Sequence, residues 1–288
     1  MKNLVSASWL QEHIDDENIV IIDCRFDLYN PEYGKKVFHL GHLKNAIFFN
    51  LDKELVGIPA NHGGARPLPD LDQLLYVLSK KGINKNTTVI GYDDQLNASA
   101  RLWWTLKYIG HKNCYLLNGG FKNWVKQGYP ITNELNPPNI SEASKDIDMN
   151  LNKEIFCEIE YVKHKKDIPE VILIDSRENE RFTGKKEKLY KKAGHIPGAV
   201  NFPCNKNFED EGLLKKRKKL SELWSWLDPD QEIILYCGSG IAASVNFIAL
   251  DELGYSPKLY LGGFSDWISY ENNQIDQIEK SNNSPTKI

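Results

Sequence analysis

One pattern appears twice in the same order along these 288 residues, and it limits the possible folds more than any other feature. The first half reads IVIIDCR (19–25), GHLKNAIFFN (41–50), TTVIGYDDQLNASA (87–100) and NGGFKNW (118–124). The second reads VILIDSR (171–177), GHIPGAVNFP (194–203), EIILYCGSGIAA (232–243) and LGGFSDW (261–267). Landmarks recurring in one order mark two copies of one structural unit. Apolar runs such as VIIDCR, AIFFN, VIGYD and CYLLN predict strands. SASWLQEHI, DLDQLLYVLSKKG and ASARLWWTLKYIG predict helices between them. Continuous apolar strands alternating with helices imply an α/β fold, each half a mostly parallel sheet with helices on both faces. Sites in such sheets form at the carboxyl ends of the strands.

The predicted division is a first domain over 1–132, a linker over 133–149, a second domain over 150–280 and a tail over 281–288. The linker is polar, carries two adjacent prolines and lacks periodicity. Net charge is −3, so no basic field points to nucleic acid. The N-terminal stretch turns acidic before any signal-like apolar core and no membrane span follows, which predicts a cytoplasmic location. The run KKRKK (215–219) sits between Leu214 and Leu220 and reads as a solvated face.

Cys24, Cys114, Cys157, Cys204 and Cys237 are scattered and odd in number, with no C-x-x-C pair. That pattern argues against a disulfide framework and against a zinc site. Only Cys237 has surroundings suited to reactivity. It follows the strand EIILY and precedes a helix with apolar positions at Ile241, Val245, Ile248, Ala249 and Leu253, stopped by Gly254. A strand–loop–helix turn aims backbone N–H groups at the sulfur and places it at the positive end of a helix. Both effects favour a thiolate and a bound anion. Gly238 and Gly240 remove side chains that would block close approach. The bland alternative is a cysteine packed at a strand end beside a tight turn. The matching position in the first half is Asp93, so one half carries the nucleophile and its twin lacks it.

With GHIPGA followed by CGSGIAA, both G-G-F-x-x-W motifs and HGGARPLPD (62–70), the chain resembles the two-domain rhodanese sulfurtransferases over about residues 1–275. A C-G-S-G loop is typical of that family's 3-mercaptopyruvate branch. The resemblance implies a Cys237 persulfide, loaded by a small-molecule sulfur donor and emptied by cyanide or a thiol acceptor such as thioredoxin or a low-molecular-weight thiol. It implies no cofactor and no metal. Arg181 matches the arginine that holds the donor's anionic end, with Gly238, Gly240, Ile241 and Ala242 completing the binding loop. The branch's second arginine has no counterpart in GKKEKLYKKAGH (184–195), where only Lys185, Lys186, Lys188, Lys191 and Lys192 could substitute. The branch also uses a serine–histidine–aspartate proton relay, which would fall to Ser239, His62 and Asp52. His42 and His195 occur in both halves and read as structural; Asp23 and Asp175 read as loop fixers.

Three rivals follow. A cysteine phosphatase or arsenate reductase needs C-x5-R, but Ala243 stands where the arginine would be. A non-catalytic rhodanese-type binding module would not need the intact loop. Thiosulfate in place of 3-mercaptopyruvate as donor stays open.

Overall fold

In the computed structural model, residues 1–135 and 149–278 are described. Most of the expected linker and all of the expected tail lie outside them. In the first half, β1 (Leu4–Val5), β2 (Ile19–Asp23), β3 (Ala46–Phe48), β4 (Thr88–Tyr92) and β5 (Cys114–Leu117) form one sheet in the order β1-β5-β4-β2-β3. In the second half, β6 (Phe156–Cys157), β7 (Val171–Asp175), β8 (Val200–Asn201), β9 (Glu232–Tyr236) and β10 (Lys258–Tyr260) repeat that order as β6-β10-β9-β7-β8. Every pairing between these strands is parallel. The antiparallel contacts are isolated bridges, such as His42–Thr132 and its counterpart His195–Asp276.

The predicted strands and helices form where periodicity placed them. SASWLQEHI holds the helix Ala7–Glu12, DLDQLLYVLSKKG holds Leu71–Lys80, and ASARLWWTLKYIG holds Ala98–Tyr108. The two-residue edge strands β1 and β6 went unpredicted because so short a run carries no period. The short helices Tyr33–Leu40 and Gly120–Lys126 were also not predicted. Central strands β4 and β9 are buried at four of five positions, which is why they read as unbroken apolar runs.

The helices Ala98–Tyr108 and Ala242–Leu253, which follow the two equivalent loops, pack on each other across the boundary between the halves. Trp103 lies 6.1 Å from Phe247 at that contact, ring centre to ring centre. Both helices are buried on nearly all sides, so one hydrophobic core runs through both halves. Trp104, Trp124 and Trp267 are likewise core residues.

The D-x-R motif at the end of β2 and β7 is a buried ion pair. Arg25 grips Asp23 at 2.7 Å and Arg177 grips Asp175 at 2.6 Å. Each guanidinium then donates to the glycine carbonyl of its Gly-His motif, Gly41 at 2.6 Å and Gly194 at 2.7 Å. Each also lies about 4 Å under the phenylalanine of its own G-G-F turn, Phe121 or Phe264. His42 and His195 donate to the carbonyls of Phe38 and Phe182 and stack on those rings, so both order their turns. Burial pushes the Asp23 carboxyl up, and Arg25 opposes that shift. Replacing Asp23 with alanine strands a buried cation. In urea unfolding, Asp23→Ala is expected to lose about 3–5 kcal/mol of stability; an unchanged midpoint would refute the role.

Candidate active site

Cys237 follows β9 directly, and the helix Ala242–Leu253 begins five residues later. The G-G-F turn after β10 supports the loop from beneath. Phe264 N–H donates to the Cys237 carbonyl at 2.8 Å and Ser265 N–H to the Gly238 carbonyl at 3.0 Å. Gly263 has φ +60°, and a Cβ there would stand 2.5 Å from the Cys237 carbonyl oxygen. Glycine is therefore required at this position both for its backbone angle and for the close approach.

The first half contains the same device. Phe121 N–H donates to the Asp93 carbonyl at 2.9 Å, and a Cβ on Gly120 would lie 2.1 Å from that oxygen. The loops match residue by residue. Leu96 holds an uncommon positive φ of 55° where Gly240 has 77°, and Asn97 and Ile241 share near-identical backbone angles. In the twin loop the Asp93 carboxylate accepts from Gln95 N–H and Ser99 N–H, both at 2.9 Å. Those amides correspond to Ser239 and Ala243 in the cysteine loop. Burial still pushes Asp93 up, with the Ser99 and Gln95 amides opposing it. The loop is a cradle for negative charge, and in one half a carboxylate fills it.

A cavity of about 410 Å³ opens over Cys237. Gly238, Ser239, Ile241, Ala242 and Arg181 line it, and Gly240 shapes the loop below. Arg181 pairs with the buried Glu187 through both carboxylate oxygens at 2.9–3.0 Å, so a carboxylate already shares its charge. None of the five lysines between 185 and 192 lines the cavity; Leu189 and Tyr190 do. Gly238 lets the Tyr190 hydroxyl approach, since a Cβ would stand 2.7 Å from it. Burial, then the negative charge of Cys237, push that phenol up.

The structure does not bring Ser239, His62 and Asp52 together. His62 is exposed, bonds Ser269 Oγ at 2.8 Å and stacks on Tyr270 at 4.0 Å, away from the cavity wall. Arg66 stands between Asp52 and Ser239 instead. Its Nε donates to Asp52 at 2.8 Å and its Nη1 to Ser239 Oγ at 3.4 Å. The G-G-A segment before Arg66 is seated on the second half's G-G-F-S-D turn. Gly63 N–H donates to Asp266 at 2.7 Å and Ala65 N–H to Ser265 Oγ at 2.9 Å. Docking therefore moves His62 outward and turns Arg66 in. Arg66 carries no local signal of this role in HGGARPLPD, because its partner Ser239 lies 173 positions away.

Arg101 was also missed, being hidden within a helical pattern. It is fully buried, and its Nη1 stands 2.7 Å from where a Gly240 Cβ would be. Its Nε and Nη1 have no hydrogen-bond partner among the described residues. Burial pulls the guanidinium down to about 9; the negative charge of Cys237 opposes this and Arg66 adds to it. Arg101 therefore stays cationic at neutral pH, beside the cysteine loop. Cys204 lines the same cavity, and burial pushes its thiol up to about 12, with the Cys237 charge adding to the shift. All five cysteines are free.

A model of the rhodanese-like domain matches residues 6–127 and again 158–270. A Pseudomonas aeruginosa protein called "Probable 3-mercaptopyruvate sulfurtransferase" is 32% identical over 274 residues, covering 92% of this chain and 95% of that one. The thiosulfate sulfurtransferase of Gallus gallus is 29% identical over 280 residues, covering 92% of each. The crystal structure of SseA from Escherichia coli, described among 3-mercaptopyruvate sulfotransferases, superposes with a TM-score of 0.78 at 28% identity, covering 92% of this chain and all of that one.

The buttress under the loop can be tested by comparing two glycines. Gly254 has φ +98° with open space around it, so Gly254→Ala should cost only the left-handed backbone penalty, about 1–2 kcal/mol. Gly263→Ala must also displace the Cys237 carbonyl and should cost clearly more in urea unfolding. Equal losses would argue against the buttress.

Proposed function

The chain belongs to the rhodanese family, and from that premise we propose that it is a sulfurtransferase carrying sulfur as a Cys237 persulfide. The Cys237 thiolate attacks the transferable sulfur of a donor, 3-mercaptopyruvate or thiosulfate, and the remainder departs as pyruvate or sulfite. An acceptor then takes the terminal sulfur: cyanide, a low-molecular-weight thiol or a protein thiol such as thioredoxin. Double displacement of this kind gives ping-pong kinetics.

The observation that carries this reading is the twin loop. Where the first half holds the Asp93 carboxylate on two amides, the second offers the equivalent amides of Ser239 and Ala243 to whatever negative charge extends from Cys237. A persulfide's terminal sulfur is such a charge. Hydrogen bonds to charged groups contribute about 1.5–3 kcal/mol each, enough to hold a reactive intermediate between two half-reactions. Arg101 adds a buried positive charge beneath the same loop without occupying the cavity. Arg181 lines the cavity and supplies a planar guanidinium for the donor's anionic end, a geometry matched to a carboxylate or an oxyanion. Relatives bear the names of both donors, which supports both as substrates. Free cysteines throughout suit a reducing compartment, and we place the protein in the cytoplasm. Among the described residues no helix is long and apolar enough to cross a membrane.

Intact mass after incubation with either donor and desalting should show the protein heavier by one sulfur atom, and Cys237→Ser should show no gain. Absence of the adduct with both donors would overturn the assignment. Arg181→Ala should raise the donor KM by about tenfold or more, the weight of a charged contact; an unchanged KM removes Arg181 from donor binding. His62→Ala should leave kcat/KM within about threefold of the parent, because exposed contacts of this kind are worth little.

A further inference from the structure

We propose that Arg66, contributed by the cysteine-free half, is the second cation that holds the donor, and that it makes the site selective for donors whose transferable sulfur carries no proton. The inference rests on the reading of Cys237 as a sulfur carrier and adds a group and a donor preference to it.

Arg66 is a wall residue of the cavity that contains Cys237, Ser239 and Arg181. It is well ordered for such a role. Its Nε is committed to Asp52, its guanidinium lies 5.3 Å over the Phe26 ring, and its side chain is only 15% exposed. The Gly63 and Ala65 amides, bonded to Asp266 and Ser265, hold the backbone that carries it. Gly64 lies so close to Gly262 that a Cβ would stand 2.5 Å from the Gly262 carbonyl, so the segment has little room to shift. Nη1 reaches Ser239 at 3.4 Å, and Nη2 has no protein partner among the described residues. An N–H group next to the nucleophile is thus available to a ligand. The expected second cation is present, but it comes from the opposite half and not from the lysine segment 185–192.

The chemistry of a guanidinium then limits which donors are served. It has five donors and no acceptor, and it does not give up its proton in a protein at neutral pH. Standing between Asp52 and Ser239, it blocks any path by which Ser239 could pass a proton to that carboxylate. The two donors differ in this respect. With thiosulfate, the thiolate forms a bond to the outer sulfur, the S–S bond of the donor breaks, and its electron pair leaves on sulfite. Cys237–S⁻ and S₂O₃²⁻ become Cys237–S–S⁻ and SO₃²⁻, with no proton moved. With 3-mercaptopyruvate, the thiolate takes the sulfur, the C–S bond breaks with its electron pair going to carbon, and the thiol proton must travel from sulfur to that carbon to give pyruvate. Only the second reaction needs a base and an acid in the site. Thiosulfate also brings two negative charges, which suit Arg66 and Arg181 together.

Steady-state kinetics of the full chain with both donors, using Arg66→Ala, Arg66→Gln, Arg66→Lys and Arg66→His, tests this. The expected result is a thiosulfate KM raised about tenfold or more in Arg66→Ala and Arg66→Gln, largely recovered in Arg66→Lys, with kcat changed far less. Arg66→His restores a group that accepts a proton, so the ratio of kcat/KM for 3-mercaptopyruvate to that for thiosulfate should rise about tenfold or more. An unchanged thiosulfate KM in Arg66→Gln, or an equal loss with both donors in Arg66→His, would overturn the proposal and leave Arg66 a structural residue. The parent protein's persulfide, read by intact mass, separates the two levels. If the parent gains sulfur and the variants behave alike, only the role of Arg66 falls. If the parent gains none from either donor, the sulfurtransferase reading falls with it.

Discussion

The contact between the G-G-F turn and the loop above it governs this molecule. In both halves a phenylalanine N–H bonds the carbonyl at the loop's first residue, Cys237 or Asp93, and a left-handed glycine lets the two backbones meet. The turn's phenylalanine also covers the arginine of the buried Asp–Arg pair, joining the loop to the end of the neighbouring strand. Strand ends, cysteine loop and Gly-His turn are thereby locked into one unit. A loop so fixed can present amides to a negative charge with little reorganisation, which is the condition for effective electrostatic stabilisation.

Duplication let the halves divide the work. Asp93 satisfies the first cradle internally, so that half offers no cysteine in its loop and instead forms the opposite wall of the cavity over Cys237. It supplies Arg66 to the cavity and the buried Arg101 beneath the cysteine loop. The second half's motif carries Ser265 and Asp266 where the first has Lys122 and Asn123, and those two side chains receive the amides of the segment bearing Arg66. These two positions give the second motif side-chain acceptors for that segment.

Charge in the cavity is arranged in pairs. Arg181 is shared with Glu187 and Arg66 with Asp52, so each cation is held in place by a carboxylate that does not line the cavity. Such pairing limits the cost of desolvating a guanidinium while leaving other N–H groups of each side chain uncommitted to the carboxylate. Arg101, beneath the loop and outside the cavity, has no carboxylate partner among the described residues, and the charge that opposes the effect of its burial is that of Cys237.

Period, repeat and loop chemistry were legible in the chain. The duplicated landmarks specified two equivalent sheets, the apolar runs located their central strands, and the glycine-rich loop between a strand and a helix singled out Cys237 as the proposed nucleophile. These are local properties, written in residues close together in sequence. The wall opposite the nucleophile was not legible. Nothing near His62 or Arg66 says which of them turns inward, because Gly63 and Ala65 are oriented by residues some 200 positions away. Sequence alone determined the fold and pointed to Cys237 as the proposed attacking sulfur; only the docking of one half on the other decided which side chains face that cysteine, because that orientation is set by contacts between segments with no local relation to each other.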